Sequence, residues 1–236
     1  MKSLKICDWL ISFAFSCLFF LVPLILTPWN YELFEYNKMM LVYALTIIIT
    51  GSWLIKMVIR KKILFQRTPF DPALLLFLLS QIVATFFSMD PHVSLFGYYS
   101  RFNGGLFSVF SYLLLYYALV SNINKDQVLR FLKLSLLSAL VVSLYGILEH
   151  FGIDKNLWVQ DVQNRVFSTL GQPNWLGAYL AIMIPIGIGF LTNSKLETRN
   201  SKQSLNSNDK NSKRLKHSDL GNSNLFRISD FGFRIF

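Results

Sequence analysis

The sequence predicts an all-α fold, an integral membrane helical bundle with about six transmembrane helices and a disordered cytoplasmic C-terminal tail. Three observations predict it. First, 53% of the residues are apolar and only 15% are charged, whereas soluble domains carry about 25% charged residues. Second, the apolar residues gather in runs near 7–27, 39–59, 70–88, 104–122, 130–149 and 174–192; about 20 helical residues cross a hydrocarbon core of roughly 30 Å. An unpaired backbone amide in lipid costs several kcal/mol, so these runs are helices, and a barrel would need short alternating strands instead. Third, the basic residues cluster in every second loop, as cytoplasmic loops rich in Lys and Arg require.

Lys2 and Lys5 precede the first run in the manner of a signal peptide. The apolar stretch is too long for one and no small-x-small cleavage site follows, so it is read as a retained first span. Cys7 and Cys17 lie in or beside it; they offer neither a disulfide framework nor zinc spacing and are read as small buried apolar residues. Lys56, Arg60, Lys61, Lys62 and Arg67 cluster after the second run. Asp71-Pro72 supplies an N-cap and a first-turn proline for the third. Lys125, Arg130 and Lys133 follow the fourth run, where Asn124-Lys125-Asp126-Gln127 has the form of a capping box for the fifth.

All these basic clusters fall on one side. The opposite loops hold only Lys38, Arg101, Lys155 and Arg165, diluted by Glu32, Glu35, Asp90, Glu149, Asp154 and Asp161. Both termini are therefore expected in the cytoplasm, in a multi-pass protein of the cell inner (cytoplasmic) membrane. The net charge of +10 follows from this topology and from the polar tail, so the partner it implies is the lipid bilayer and not nucleic acid.

Ser, Thr, Tyr and Gln81 side chains inside the runs fit interhelical hydrogen bonds, worth about 0.6 kcal/mol each. No run carries an acid or base near its middle, which counts against a proton-driven pump. Residues 1–192 thus form the transmembrane region. Residues 193–236 turn to Ser, Asn, Lys, Arg and Asp, the composition of a disordered tail. The tail holds His217 and Asp230-Phe231-Gly232; that triplet is similar to a kinase metal-binding motif but has no glycine-rich or catalytic loop beside it. No metal site is expected.

Function then falls to two outer loops, DPHVSLFGYYSRFNGG at 90–105 and EHFGIDKNLWVQDVQNRVFSTLGQPNW at 149–175. Each sets one arginine, Arg101 or Arg165, among aromatics, glycines and amides at a helix end. Such an arginine can hold an anion in its planar fork of donors, joined by the amides of a helix beginning near Asn174. Equally, interfacial Arg, Trp and Tyr can anchor helix ends among lipid headgroups. His92 and His150 are external and Glu149 is beside the second, so one of them could act as a base; the reading preferred for all three is interfacial polar residues.

The stretch Arg165–Leu180, RVFSTLGQPNWLGAYL, resembles the Arg-x-x-x-(Thr/Ser)-x-Gly-(Asn/Gln)-Pro-Asn signature of the O-antigen ligase and O-antigen polymerase-like membrane family. YELFEYNKMM at 31–40 and SMDPHVSLFGYYSRFNGGLFS at 88–108 are similar to two further segments of that family, in the same order and on one side of the membrane. The resemblance covers about residues 20–190. It implies an inverting, metal-independent and cofactor-free glycosyl transfer at the outer leaflet: a glycan leaves undecaprenyl pyrophosphate for a hydroxyl on the lipopolysaccharide core, another glycan or a protein. The implied partners are that polyprenyl-pyrophosphate-linked glycan and its acceptor. Arg165 first, and Arg101 second, would bind the pyrophosphate, whose departure develops negative charge. Gly171, Pro173 and Asn174 would shape the turn presenting Arg165, with Asn174 as N-cap. The family's catalytic histidine belongs to a large external loop in its second half. The chain is accordingly expected to be the N-terminal part of such an enzyme, an incomplete and inactive fragment without the catalytic base. A polytopic transporter component and a non-catalytic scaffold of cell-envelope polysaccharide assembly remain the alternatives.

Overall fold

Helices account for all the regular structure in the computed structural model, which describes residues 2–27, 32–158 and 161–206, with side chains as far as Thr192. In chain order they are α1 (Lys2–Leu21), α2 (Glu35–Arg60), α3 (Asp71–Phe86), α4 (Pro91–Phe96), α5 (Leu106–Asn122), α6 (Lys125–His150) and α7 (Pro173–Asn206), with a 3-10 turn at Ser168–Leu170 before α7. No strand occurs among the described residues. By contacts, the chain up to Ile188 forms one compact unit and Gly189–Phe236 a second. Every packing relation below lies within the first.

Among the described residues, four helices are long and apolar enough to cross a membrane: α1, α2, α6 and the Pro173–Thr192 part of α7. The other two expected spans are shorter. α3 has 16 residues and α5 has 17, about 24 and 26 Å at a rise of 1.5 Å per residue, against a hydrocarbon core of roughly 30 Å. The cause lies between them. Asp90 caps α4 by accepting from the Val93 N–H at 3.1 Å, with Pro91 in the first turn, so the chain has left α3 before Ser88. Gly105 is packed backbone to backbone against Gly97, which delays α5 until Leu106.

Local chemistry explains the other ends. α1 stops at Leu21, just ahead of Pro23, which lacks the N–H that another turn would need. The capping box before α6 is formed as expected: Asn124 Oδ1 accepts from the Gln127 N–H at 3.0 Å, and the Asn124 N–H donates to Gln127 Oε1 at 3.1 Å. Asp71 is not the N-cap of α3; Phe70 takes that place. Asp71 instead accepts from the Thr68 hydroxyl at 2.6 Å, the Thr68 N–H at 3.1 Å and the Tyr117 hydroxyl at 3.1 Å, which ties the start of α3 to α5. α7 continues to Asn206, so the first part of the expected disordered tail has a helical backbone. Residues 207–236, with His217 and the Asp230-Phe231-Gly232 triplet, lie outside the described residues.

The core joins α1, α2, α5 and α6 through Ile11, Phe15, Leu45, Ile49, Trp53, Ala118 and Phe131. Phe131 lies against Phe15 and Phe19, with centroids 5.9 and 5.5 Å away. Lipid is as apolar as these side chains, so close packing rather than transfer from water holds such helices together. α1 packs on α2 and α6, α2 on α5, and α3 and α4 against α5. α3 itself buries no residue.

Polar contacts mark the two ends of the bundle. At one end the buried Lys56 ammonium lies 2.6 Å from Asp8 and donates to Asn122 at 2.9 Å. There too the Trp53 indole donates to the Leu64 carbonyl, and the Gln66 N–H to the Ser121 hydroxyl. At the other end Lys38 meets Thr169, Arg101 meets Glu35 and the Tyr43 hydroxyl meets Phe102. The loops expected on the cytoplasmic side thus meet at one end and those expected outside meet at the other.

Candidate functional site

The loop between α4 and α5 is closed at its feet. Gly97 has φ 90°, and a Cβ there would lie 2.2 Å from the Asn103 carbonyl oxygen; a Cβ on Gly105 would lie 2.3 Å from the Gly97 nitrogen. Only glycine tolerates this approach and, at Gly97, this conformation. Between the feet, the Tyr98 carbonyl accepts from the N–H groups of Arg101 and Phe102, both at 2.9 Å. The Tyr43 hydroxyl donates to the Phe102 carbonyl at 3.0 Å, pinning the loop to α2.

This closure fixes Arg101. Its Nε lies 3.2 Å from Glu35 Oε2 in the first turn of α2. Its guanidinium carbon lies 5.6 Å from the centre of the Trp175 ring in the first turn of α7 and 6.0 Å from that of Tyr98, distances at which a cation is attracted to an aromatic face. Glu35, Tyr98, Arg101, Asn103, Gly104 and Trp175 line a cavity of about 420 Å³. Glu35 approaches the guanidinium at Nε. The two terminal amino groups make no hydrogen bond among the described residues and leave a fork suited to two oxygens of one anion.

Arg165 is held differently. Its N–H donates to the Asp161 carbonyl at 3.1 Å. The Asn164 side-chain amide and backbone N–H donate to the Asp161 carboxylate at 2.6 and 3.4 Å, and these two hydrogen bonds hold that carboxyl below the usual range. Two residues beyond Arg165 the chain turns inward. The N–H groups of Phe167 and Ser168 donate to Glu149 Oε2 at 2.9 and 2.8 Å, and the Ser168 hydroxyl donates to the Val142 carbonyl at 2.6 Å. The Arg165 side chain is exposed, makes no ion pair or hydrogen bond among the described residues, and does not line the Arg101 cavity. Of the two expected arginines, only Arg101 therefore lies in the cavity.

The turn after Arg165 follows its glycine. Gly171 has φ 82°, and a Cβ there would lie 2.4 Å from the ring of Phe34; that ring packs against Trp158 and Phe167. The Lys38 ammonium donates to the Thr169 carbonyl, and the Thr169 hydroxyl donates to the Pro23 carbonyl at 2.8 Å. Pro173 opens α7, which suits a first helical position where no N–H is needed. Asn174 consequently sits inside the first turn and is not the N-cap; the Gln172 carbonyl accepts from Trp175 and Leu176, both at 3.1 Å.

Glu149 is not an interfacial polar residue. It is fully buried and serves as the acceptor that folds the Arg165 segment. Asp154 is also buried and accepts from the Tyr145 hydroxyl at 2.8 Å and the Trp158 indole at 2.7 Å. His150 Nδ1 lies 2.7 Å from the Gln163 carbonyl, and His92 stacks on Tyr99 with centroids 4.8 Å apart. Tyr31, Val159 and Gln160, which belong to the outer segments, lie outside the described residues.

Sequence reasoning missed Glu35, Tyr98, Asn103, Gly104 and Trp175 as cavity residues. Glu35 carried a usable signal: it is an acid one turn before an apolar run, on the side where Arg101 is among few cations. No protein family, curated protein or solved structure matches the chain.

Proposed function

We propose that this chain carries the pyrophosphate-binding region of an O-antigen ligase-like membrane glycosyltransferase. Such an enzyme moves a glycan from undecaprenyl pyrophosphate to an acceptor at the outer leaflet of the inner membrane. One observation carries the reading: the Arg101 cavity takes residues from all three segments that resemble that family. Glu35 comes from 31–40, Tyr98 to Gly104 from 88–108 and Trp175 from 165–180.

The chemistry fits a phosphorylated headgroup. A guanidinium steadied by a carboxylate at Nε and an indole face presents its remaining donors without first having to be ordered. Charge that grows on a departing pyrophosphate is stabilised most by donors already in place. Arg165, exposed and unpaired among the described residues, would add a second cation from the neighbouring loop as the headgroup enters. In this reading α1, α2, α3, α5, α6 and α7 all cross the bilayer and both termini lie on the cytoplasmic side. The alternation of loops between the two ends supports that course. The shorter α3 and α5 would be matched by local thinning, which costs fractions of a kcal/mol per Å.

Binding is the direct test. The purified chain in nanodiscs is expected to bind undecaprenyl pyrophosphate. Arg101→Ala should weaken binding by about tenfold or more, the loss of a charge-assisted contact worth roughly 1.5–3 kcal/mol. Arg101→Lys should recover only part of it, because an ammonium cannot form the fork. An Arg101→Ala variant that binds as well as the parent would reject the cavity.

A further inference from the structure

A second concavity is lined by Phe102, the residue between Arg101 and Asn103 of the first. It is an apolar groove of about 700 Å³ between α2 and α5. Phe96, Phe102, Phe107 and Phe110 form its upper part, and Gly51 and Leu54 lie at its far end on α2. Ile47, Phe107 and Leu54 on its walls are 73, 47 and 54% exposed, so the groove is open along the flank of the bundle.

We infer that this groove holds the hydrocarbon chain of the same lipid whose pyrophosphate sits at Arg101. The inference rests on the function proposed above and adds to it where the chain lies. Continuity is the first ground. Phe102 lines the groove while its neighbours Arg101 and Asn103 line the polar cavity, so a headgroup and its chain would pass from one to the other across a single residue.

Length is the second ground, and it selects the occupant. From Met40 to Leu54 the groove follows α2 for fourteen residues, about 21 Å at 1.5 Å per residue. One leaflet supplies only about 15 Å, half of a hydrocarbon core of roughly 30 Å. An ordinary phospholipid chain anchored at the outer surface ends near the midplane and would leave the stretch beside Gly51 and Leu54 unfilled. A polyprenyl chain is long enough to fill it. Lipid tails are as apolar as the groove walls, so its contribution is shape and placement rather than transfer out of water. A chain laid in the groove presents its pyrophosphate at one fixed point beside Arg101.

Gly51 provides the test, because a Cβ built there meets nothing within 4 Å. A Gly51→Phe side chain would start in open space at the far end of the groove, and it removes a glycine from a helix interior. Binding to the purified full chain in nanodiscs is measured for undecaprenyl pyrophosphate and for geranyl pyrophosphate, whose short chain stops before Gly51. Gly51→Phe should weaken the long ligand about tenfold and leave the short one within about twofold of the parent; Leu54→Trp should do the same. Unchanged binding of the long ligand in both variants, or equal loss of both ligands in both, overturns the groove assignment while leaving the Arg101 reading intact. Displacement of undecaprenyl pyrophosphate by an equal concentration of phosphatidic acid would assign the groove to ordinary membrane lipid and also overturn it. Failure of the parent chain to bind either pyrophosphate would remove the functional reading itself, and the groove assignment with it.

Discussion

The carboxylate of Glu149, at the end of α6, receives the backbone N–H of Ser168 at 2.8 Å, with that of Phe167 beside it at 2.9 Å. A fully buried acid thus does the work of a missing strand partner for an irregular segment. Glu149→Ala would leave two buried donors without acceptors. Each costs about 1–3 kcal/mol, so thermal unfolding in detergent should show a loss of about 2–6 kcal/mol. Both N–H groups donate to the same oxygen, so Glu149→Gln can keep an acceptor for both and should cost less than Glu149→Ala. Equal stability of all three proteins would show that the segment is held from elsewhere.

Glu35 competes with any anion for Arg101. Removing its charge while keeping its shape, as in Glu35→Gln, relieves a like-charge repulsion of roughly 1 kcal/mol at a partly exposed site, equivalent to about fivefold tighter binding. Titration with undecaprenyl pyrophosphate reads this directly. Weaker binding in Glu35→Gln would mean that holding Arg101 in place matters more than neutralising it.

Gly171→Ala meets two obstacles at once: a left-handed backbone and the ring of Phe34 2.4 Å from the new carbon. The backbone alone costs about 1–3 kcal/mol. Melting temperature should fall, and by less when Gly171→Ala is made in a Phe34→Gly background, which lacks both the ring and the Cβ lying 2.7 Å from the new carbon; the backbone strain remains in either case. A Gly171→Ala protein as stable as the parent would place the turn elsewhere.

Sidedness can be read with an impermeant thiol reagent on intact cells, in a background where Cys7 and Cys17 are replaced. Tyr99→Cys and Lys155→Cys, both exposed at the Arg101 end, should label, and Lys62→Cys at the other end should not. Gly97 is unsuitable for this purpose because a side chain there meets the Asn103 carbonyl. Labelling at position 62 and not at 99 would invert the orientation.

Much of the fold was legible because long apolar runs and alternating charge leave little choice of conformation. The capping box at Asn124 was readable to the atom, since it depends on four consecutive residues. What escaped depended on distant pairs. Asp71 looks like a cap until Thr68 and Tyr117 are seen beside it. Lys56 looks like one more cytoplasmic charge until it is found buried against Asp8. In the site, Arg101 and the turn at Gly171 were visible as residue types, but the Glu35–Arg101–Trp175 grouping joins residues 66 and 74 positions apart in sequence, and no local pattern contains it. Asn174 was misplaced by two positions, because Pro173 is already the first helical residue.

The paired glycines at 97 and 105 make the segment between them replaceable as a unit. The close approach at its feet is main chain against main chain, so the side chains of Tyr98 to Arg101 can change size, charge or aromatic content while that approach is kept. The framework of α2, α4 and α5 can then stay constant while what it presents to a headgroup is rewritten. An exchange of Tyr98 to Arg101 for another four residues should therefore alter which anion the cavity accepts long before it alters whether the protein folds.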